Sequence, residues 1–187
     1  MSLIECLGAI VLLGIIAGAA LPATYRWYRR IALWAAVVKV RGVLNDAKER
    51  AATLDRETGV RFTQTEDGWW YAVYEDGDGD GVMNSDIASG VDRVVVSQRP
   101  FVTKVDGARI GIATGVRDPD SGALLAADTG VRFGVTGICS FAPGADATPG
   151  TIFLTNEIMT AAVRSSGDGA AIKTLVYDDL LRTWTGK

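Results

Sequence analysis

Residues 1–30 read MSLIECLGAIVLLGIIAGAALPATYRWYRR and are the most informative segment of the chain. It is an apolar run that holds one acid, Glu5, and one proline, Pro22, and it ends in basic and aromatic residues. Positions 6–25 carry no charge. At about 1.5 Å of rise per residue they cover roughly the 30 Å of a hydrocarbon core. The sequence therefore predicts a membrane-spanning helix in this part of the chain.

Glu5 lies one helical turn inside the apolar run. An ionised carboxylate in a bilayer costs about 3 kcal/mol unless it is paired. The nearest basic residue of the same helix is Arg26, roughly 30 Å away along the axis, so the nearest cation available to Glu5 is an α-amino group of another subunit. Alternatively, the carboxylate lies solvated at the headgroup edge. The residues alone leave both interpretations open.

Ser2-Leu3-Ile4-Glu5, the apolar run and Leu21-Pro22 resemble the N-terminus of a mature type IV pilin or type II secretion pseudopilin. The resemblance implies that prepilin peptidase removes a short basic leader before Met1. It also implies that Glu5 neutralises the N-terminal amine of a neighbouring subunit during assembly. Met1 departs from the family, in which phenylalanine is more common. The assembly residues implied in this way are Met1, Glu5 and Pro22, with Pro22 at a joint in the helix.

Arg26, Arg29 and Arg30 follow the apolar run. The positive-inside rule alone would place this side in the cytoplasm. A removed basic leader would supply the opposing charge and leave the larger part of the chain outside the cytoplasm. We therefore expect a single-pass protein of a bacterial inner membrane that later enters a periplasmic pseudopilus or a surface pilus.

The helix is expected to continue to about residue 58. Residues 1–25 form its transmembrane and polymerisation half, and residues 26–58 form an amphipathic half that ends before Gly59 as the C′ residue. Pro22 removes one backbone hydrogen bond and favours a kink or a locally melted stretch. Mostly apolar residues recur at steps of three and four and predict a stripe that packs on a domain: Ile31, Trp34, Val37, Val38, Arg41, Leu44, Lys48, Ala51 and Leu54.

Residues 59–187 predict a β-rich globular head, with 22 glycines in the whole chain available for turns. Val60 to Thr65 and Trp69 to Tyr74 flank Glu66-Asp67-Gly68 and predict a hairpin. The further predicted strands are 93–97, 109–113, 130–135, 137–141, 151–155, 157–165 and 170–177. The predicted fold class is α+β and pilin-like: a long N-terminal hydrophobic helix packed on a C-terminal antiparallel sheet.

A second resemblance concerns the head. Phe141-Ala142-Pro143-Gly144 and Thr148-Pro149-Gly150-Thr151-Ile152-Phe153-Leu154 look like the C-terminal signature of the GspH/FimT pseudopilin family. The later segments 162–164 and 173–177 fall where that family has its closing strands. A turn followed by a buried strand explains the same residues, so their predicted role is architectural.

Composition narrows the function classes. There are 19 Lys and Arg residues, 22 Asp and Glu residues and no His, which gives a formal net charge of −3. This balance does not favour nucleic acid as a partner. The absence of His removes most nucleophile–base triads, and we expect no enzyme activity. Cys6 lies in the predicted span and Cys139 in the head, so no disulfide joins them.

The segment Asp76-Gly77-Asp78-Gly79-Asp80-Gly81 resembles the first half of an EF-hand calcium loop. The predicted ligands are Asp76, Asp78, Asp80, the carbonyl of Val82, Asn84 and Asp86, with Asp92 as a further carboxylate. The twelfth loop position is Ile87, so the usual bidentate glutamate is missing. A solvated acidic turn is the alternative. Calcium is the cofactor that this pattern favours.

Together these features predict a structural subunit of a type IV pilus or a type II secretion pseudopilus. A minor, initiating or tip-located pseudopilin is favoured, and a major filament-forming pilin is the alternative. The predicted partners are other pilin or pseudopilin subunits, prepilin peptidase and the inner-membrane assembly platform. A DNA-uptake minor pilin is less favoured, because Gly169-Ala170-Ala171-Ile172 lacks the two arginines that those relatives carry.

Overall fold

The computed structural model describes residues 3–102, 107–126, 129–134, 136–144, 146–167 and 171–186. The side chains of Glu5, Cys6, Ala9, Ala19, Ala23 and Val102 lie outside this description. The elements follow the order α1 (Leu3–Leu54), β1 (Thr58–Thr65), β2 (Gly68–Glu75), α2 (Asn84–Ser89), β3 (Arg93–Val102), β4 (Arg109–Ile110), β5 (Val131–Phe133), β6 (Ile138–Phe141), β7 (Gly150–Thr155), β8 (Thr160–Ser165), β9 (Ile172–Asp178) and β10 (Thr183–Gly186).

Helix α1 has 52 residues and is therefore about 78 Å long. It continues through Pro22. It ends four residues before the predicted position, since Asp55 adopts a left-handed conformation with φ of 52°. The N–H of Arg56 then donates to the carbonyl of Ala51 at 3.3 Å, as in a Schellman cap. The expectation that Gly59 ends the helix was wrong, because Gly59 lies inside β1.

The second half of α1 packs on the head through one buried stripe. The stripe recurs every three or four residues, as helical periodicity requires, and consists of Leu33, Ala36, Val37, Val40, Leu44, Ala47 and Ala51. The predicted stripe is only partly confirmed. Val37, Leu44 and Ala51 are buried, whereas Val38 and Leu54 are 67% and 45% exposed. Three small alanines, Ala36, Ala47 and Ala51, belong to the buried stripe, and a search for large apolar residues does not identify all of them.

The first sheet has four antiparallel strands in the order β3-β2-β1-β6. The predicted hairpin is confirmed: Thr65 pairs with Gly68 across a two-residue turn, and Val60 pairs with Val73. On the other side of β1, Val60 pairs with Cys139 of β6. This sheet places the segment after β2, which contains the acidic residues, at the end where α1 stops.

The second sheet runs β10-β9-β8-β7-β4, and β5 also pairs with β7. Strand β7 carries Ile152, Phe153 and Leu154, all fully buried, so the predicted buried strand after the Pro-Gly turn is confirmed. The predicted strands in the head are present, in some cases shorter or longer than expected. Val135 and Ala170, which two of the predictions included, lie outside the described residues.

The main core lies between α1 and the two sheets, and α1 contacts β1 and β6 of the first sheet and β7, β8 and β9 of the second. A second cluster covers the opposite face of the second sheet, where Ile112 and Val116 of the β4–β5 connection pack with Phe153, Ala162 and Tyr177. The predicted α+β fold class is confirmed: a long N-terminal apolar helix is packed on antiparallel sheets.

Candidate functional site

The first half of α1 is an unpaired apolar surface. From Leu3 to Leu21 the large apolar side chains that the structure describes are all more than half exposed. A soluble monomer does not normally expose a continuous apolar surface of this extent to water. Helix α1 is long and apolar enough to span a membrane, with a mean hydropathy of 1.5 in its apolar window. Lipid or other helices can cover such a surface.

Two of the three predicted assembly residues lie within α1. The backbone of Glu5 is helical and places it in the first turns of the helix, while its side chain is outside the described part. Pro22 is helical and exposed, with helix on both sides. Met1 lies outside the described residues. Helix α1, called the stem below, therefore runs from Glu5 to the head without a break.

Arg29 fastens this stem to the base of the head. Its guanidinium donates to the carbonyl of Asn156 and lies 3.3 Å from the Glu157 carboxylate, while the Asn156 amide donates to the carbonyl of Arg29 at 2.7 Å. The Asn156 side-chain oxygen also accepts the N–H groups of Ile158 and Met159 at 3.0 and 2.7 Å. The β7–β8 turn is thus built around one buried amide that also holds α1.

The acidic loop lies at the opposite end of the head, between β2 and α2. Asp76 is 8% exposed. One of its carboxylate oxygens accepts the N–H groups of Asp78 and Gly79 at 3.1 and 2.8 Å, and the other accepts that of Gly81 at 3.1 Å. The backbone of the loop therefore wraps around Asp76, and this single side chain specifies the turn.

Asp92 is a second acid that holds the backbone of the same loop. The two carboxylate oxygens of Asp92 accept the N–H groups of Gly77 at 3.2 Å and Met83 at 2.9 Å. Gly77 is required here, because a Cβ at this position would lie 2.0 Å from the carbonyl oxygen of Val91. Both oxygens of Asp92, which the sequence offers as a substitute calcium ligand, hold the backbone of the loop.

The predicted calcium ligands are only partly brought together. Carboxylate oxygens of Asp76, Asp78 and Asp80 lie within 4.8 Å of one another, and Asp86 is not part of that group. Asn84 begins helix α2 and its amide donates to the carbonyl of Thr136 at 2.9 Å. Val82 is buried and its N–H donates to Glu57 at 3.3 Å. Residues 84–89 form helix α2, so the second half of the sequence motif does not have the conformation of a calcium-binding loop.

The charges of the loop are unequally stabilised. Burial by itself raises the pKa of Asp76, but the N–H groups of Gly79, Gly81 and Asp78 outweigh it and hold that pKa below its usual value. The pKa of Asp80 is raised by a hydrogen bond with the Asp78 side chain and by repulsion from the neighbouring carboxylates of Asp78, Asp86 and Asp76. The buried acid is therefore satisfied by the protein, and the exposed pair repel each other.

Sequence reasoning missed the residues that join distant parts of the chain. Arg29 and Asn156 are 127 positions apart. Asp118 pairs with Arg132, and Asp120 pairs with Arg164, so the turn 118–122 neutralises two arginines of the second sheet. The one available signal was a short turn with Asp or Asn at its start, which is typical of side-chain-to-backbone capping.

Comparison of the chain with protein families, with characterised proteins and with solved structures finds no match. The resemblance to pilins therefore rests on the residues of the N-terminal run and on the arrangement of helix and sheets.

Proposed function

We propose that this chain is a structural subunit of a type IV filament, a pilus or a type II secretion pseudopilus, that assembles through α1. The observation that supports this proposal best is the contrast within one helix. Residues 3–21 present exposed apolar side chains, and residues 33–51 bury a stripe under the head. A stem of this kind inserts into a bilayer before assembly and packs against the stems of other subunits afterwards.

Glu5 supplies the specific step in this proposal. A carboxylate among apolar side chains is destabilised until a cation reaches it. In a bundle of parallel stems the nearest such cation is the N-terminal amine of a neighbouring subunit. Pairing then favours the assembled state over the single subunit in the membrane and fixes the axial register of neighbouring stems.

A minor pseudopilin at the tip remains the favoured form of this proposal, with the major pilin as the alternative. The DNA-uptake alternative depends on a basic patch near the closing strands. Gly169 and Ala170 of that region lie outside the described residues. Arg164, which would contribute to the patch, is paired with Asp120, and this pairing weakens the case for a DNA contact.

Replacement of Glu5 tests the assembly proposal. We expect Glu5→Ala and Glu5→Gln to leave membrane insertion intact and to abolish incorporation into filaments, because both remove the charge that a neighbour's amine would pair with. The matched control is Glu66→Ala, an exposed acid in the β1–β2 turn, which should assemble normally. The readouts are membrane fractionation and the amount of chain in sheared filaments. Normal incorporation of both Glu5 variants into filaments would contradict the proposal.

Calcium binding at the acidic loop stays a prediction. The Asp78–Asp80 repulsion supports it, since a cation would relieve that repulsion. Against it, both oxygens of Asp76 already accept backbone N–H groups. We expect calcium to raise the melting temperature of the purified chain relative to chelator. Asp80→Asn should raise the melting temperature in chelator slightly and reduce the calcium response. Identical melting curves with and without calcium would contradict the prediction.

A further inference from the structure

A cavity of about 290 Å³ opens at the base of the head, beside the point where α1 leaves the apolar half. It is lined by Arg29 of α1, by residues 107–109 around β4, and by residues 155–157 of the β7–β8 turn. This volume is close to the roughly 300 Å³ at which small-ligand pockets begin. The two strands are fixed relative to each other because Arg109 pairs with Thr155 in the β4–β7 register.

The height of the cavity follows from the helix. Arg29 is one turn beyond Tyr25, and so about 6 Å above the last uncharged position of the apolar run. The hydrocarbon core of a bilayer is about 30 Å thick, and the headgroup regions bring the total to about 40–45 Å. Each headgroup region is therefore several ångströms thick. The Arg29 guanidinium lies 5.6 Å from the centre of the Tyr25 ring, and Tyr25, Trp27 and Tyr28 are exposed, as in an interfacial aromatic belt. The cavity therefore lies at headgroup level when α1 spans a membrane.

The polar groups of the cavity are only partly satisfied. The Arg29 side chain is 18% exposed, and its Nε is buried without a hydrogen-bond partner among the described residues. Arg109 is exposed and has no ion-pair partner in the described part of the chain. Arg26 and Arg30 add exposed positive charge around the same helical turn, while Glu157 is the one acid among the described residues that line the cavity. Two guanidinium groups that line one cavity are suited to phosphate oxygens.

We propose that this cavity binds the phosphate of a phospholipid headgroup in the leaflet where α1 emerges. The phosphate lies between Arg29 and Arg109, and the acyl chains run down the exposed apolar face of α1. The bound lipid holds the base of the head on the membrane surface until the subunit is extracted. This inference rests on the proposed membrane insertion of α1, and it concerns a separate surface from the Glu5 contact.

Lipid titration of the full chain tests the proposal. The wild-type chain and three variants are purified in detergent micelles and titrated with phosphatidylglycerol, and bound lipid is counted by native mass spectrometry. Arg109→Gln should weaken phosphatidylglycerol binding about fivefold, the size expected for one partly exposed charge contact. Glu157→Gln should strengthen binding, because it removes the acid that competes for Arg29. Arg93→Gln, the same change at an exposed arginine of β3 on the other sheet, is the matched control and should bind as wild type.

Two further comparisons identify the ligand. Diacylglycerol with the same acyl chains lacks the phosphate and should not bind stoichiometrically, and soluble glycerol phosphate should not compete at concentrations equal to the lipid. Equal binding of diacylglycerol, full competition by glycerol phosphate, or unchanged affinity of Arg109→Gln would each overturn the proposal. Failure of the chain to enter phosphatidylglycerol nanodiscs would overturn this proposal and membrane insertion together, whereas insertion without phosphate dependence overturns the pocket alone.

Discussion

The two halves of α1 belong to one uninterrupted helix and have opposite surroundings. Leu13 is 66% exposed, whereas Leu44 is fully buried under the head. In the first half, apolar side chains cover the helix on all sides, as a membrane or a bundle of stems requires. In the second half, apolar contact is restricted to one stripe with polar residues around it. Helix propensity gives the same secondary structure in both halves, and the surrounding partner decides what each apolar side chain contributes.

The largest expected effect tests this difference directly. Leu44→Ala should lower the free energy of unfolding of the head by about 3 kcal/mol, because it leaves a cavity in a closed core. Leu13→Ala is the matched control and should change it by no more than about 0.5 kcal/mol, since its side chain contacts no part of the head. Denaturant unfolding of the full chain in micelles, followed by near-ultraviolet circular dichroism, measures both. Equal losses in the two variants would contradict the contrast.

The second effect concerns the junction between the two halves. Asn156→Ala removes the bond to the Arg29 carbonyl and leaves the N–H groups of Ile158 and Met159 without their acceptor. We expect a loss of about 2 kcal/mol and faster tryptic cleavage after Arg29, because the backbone carbonyl of Arg29 loses its bond to the Asn156 side chain and the β7–β8 turn that holds α1 loses its central amide. Asn45→Ala, an exposed helix position, should change neither quantity. Unchanged cleavage would mean that Asn156 does not hold the stem.

The smallest expected effect concerns the acidic loop, which follows β2 near the C-terminal end of α1. Asp76→Asn should cost about 1.5 kcal/mol at neutral pH, near the lower limit for hydrogen bonds to a charged group. Because the pKa of folded Asp76 is lowered, its contribution is fully present above the pKa of the unfolded chain and is lost as the pH falls through the folded value. Stability curves from pH 7 to pH 2 should therefore converge for wild type and Asp76→Asn in acid. Asp67→Asn, in the exposed β1–β2 turn, should follow wild type throughout.

Sequence patterns predicted the elements better than their contacts. The apolar run, the hairpin around Glu66-Asp67 and the buried strand at Ile152 to Leu154 were predictable, because each depends on local periodicity or turn chemistry. The packing stripe of α1 was predicted only in part, since the large residues Val38 and Leu54 face solvent and the small Ala47 faces the core. Which helix face is buried depends on the shape of the sheets and not on side-chain size alone.

The acidic loop was also predicted better in its local turn than in its contacts with other segments. The alternation of Asp and Gly predicted a tight turn with clustered carboxylates, and Asp76, Asp78 and Asp80 do lie together. It did not predict that Asp92 would brace the loop, or that Asn84 would begin a helix and bond to Thr136. Those contacts join residues that are far apart in sequence or depend on where the following helix starts.

A long apolar helix with a single acid, followed by a glycine-rich β region, is predictable from local sequence patterns alone. The position at which that helix joins the head is not, because it depends on contacts between distant residues. Those contacts are the Arg29–Asn156 hydrogen bonds and the burial of Ala36, Ala47 and Ala51 under the head. Such contacts depend on two strands meeting one helix at a fixed height, which no local pattern of residues specifies.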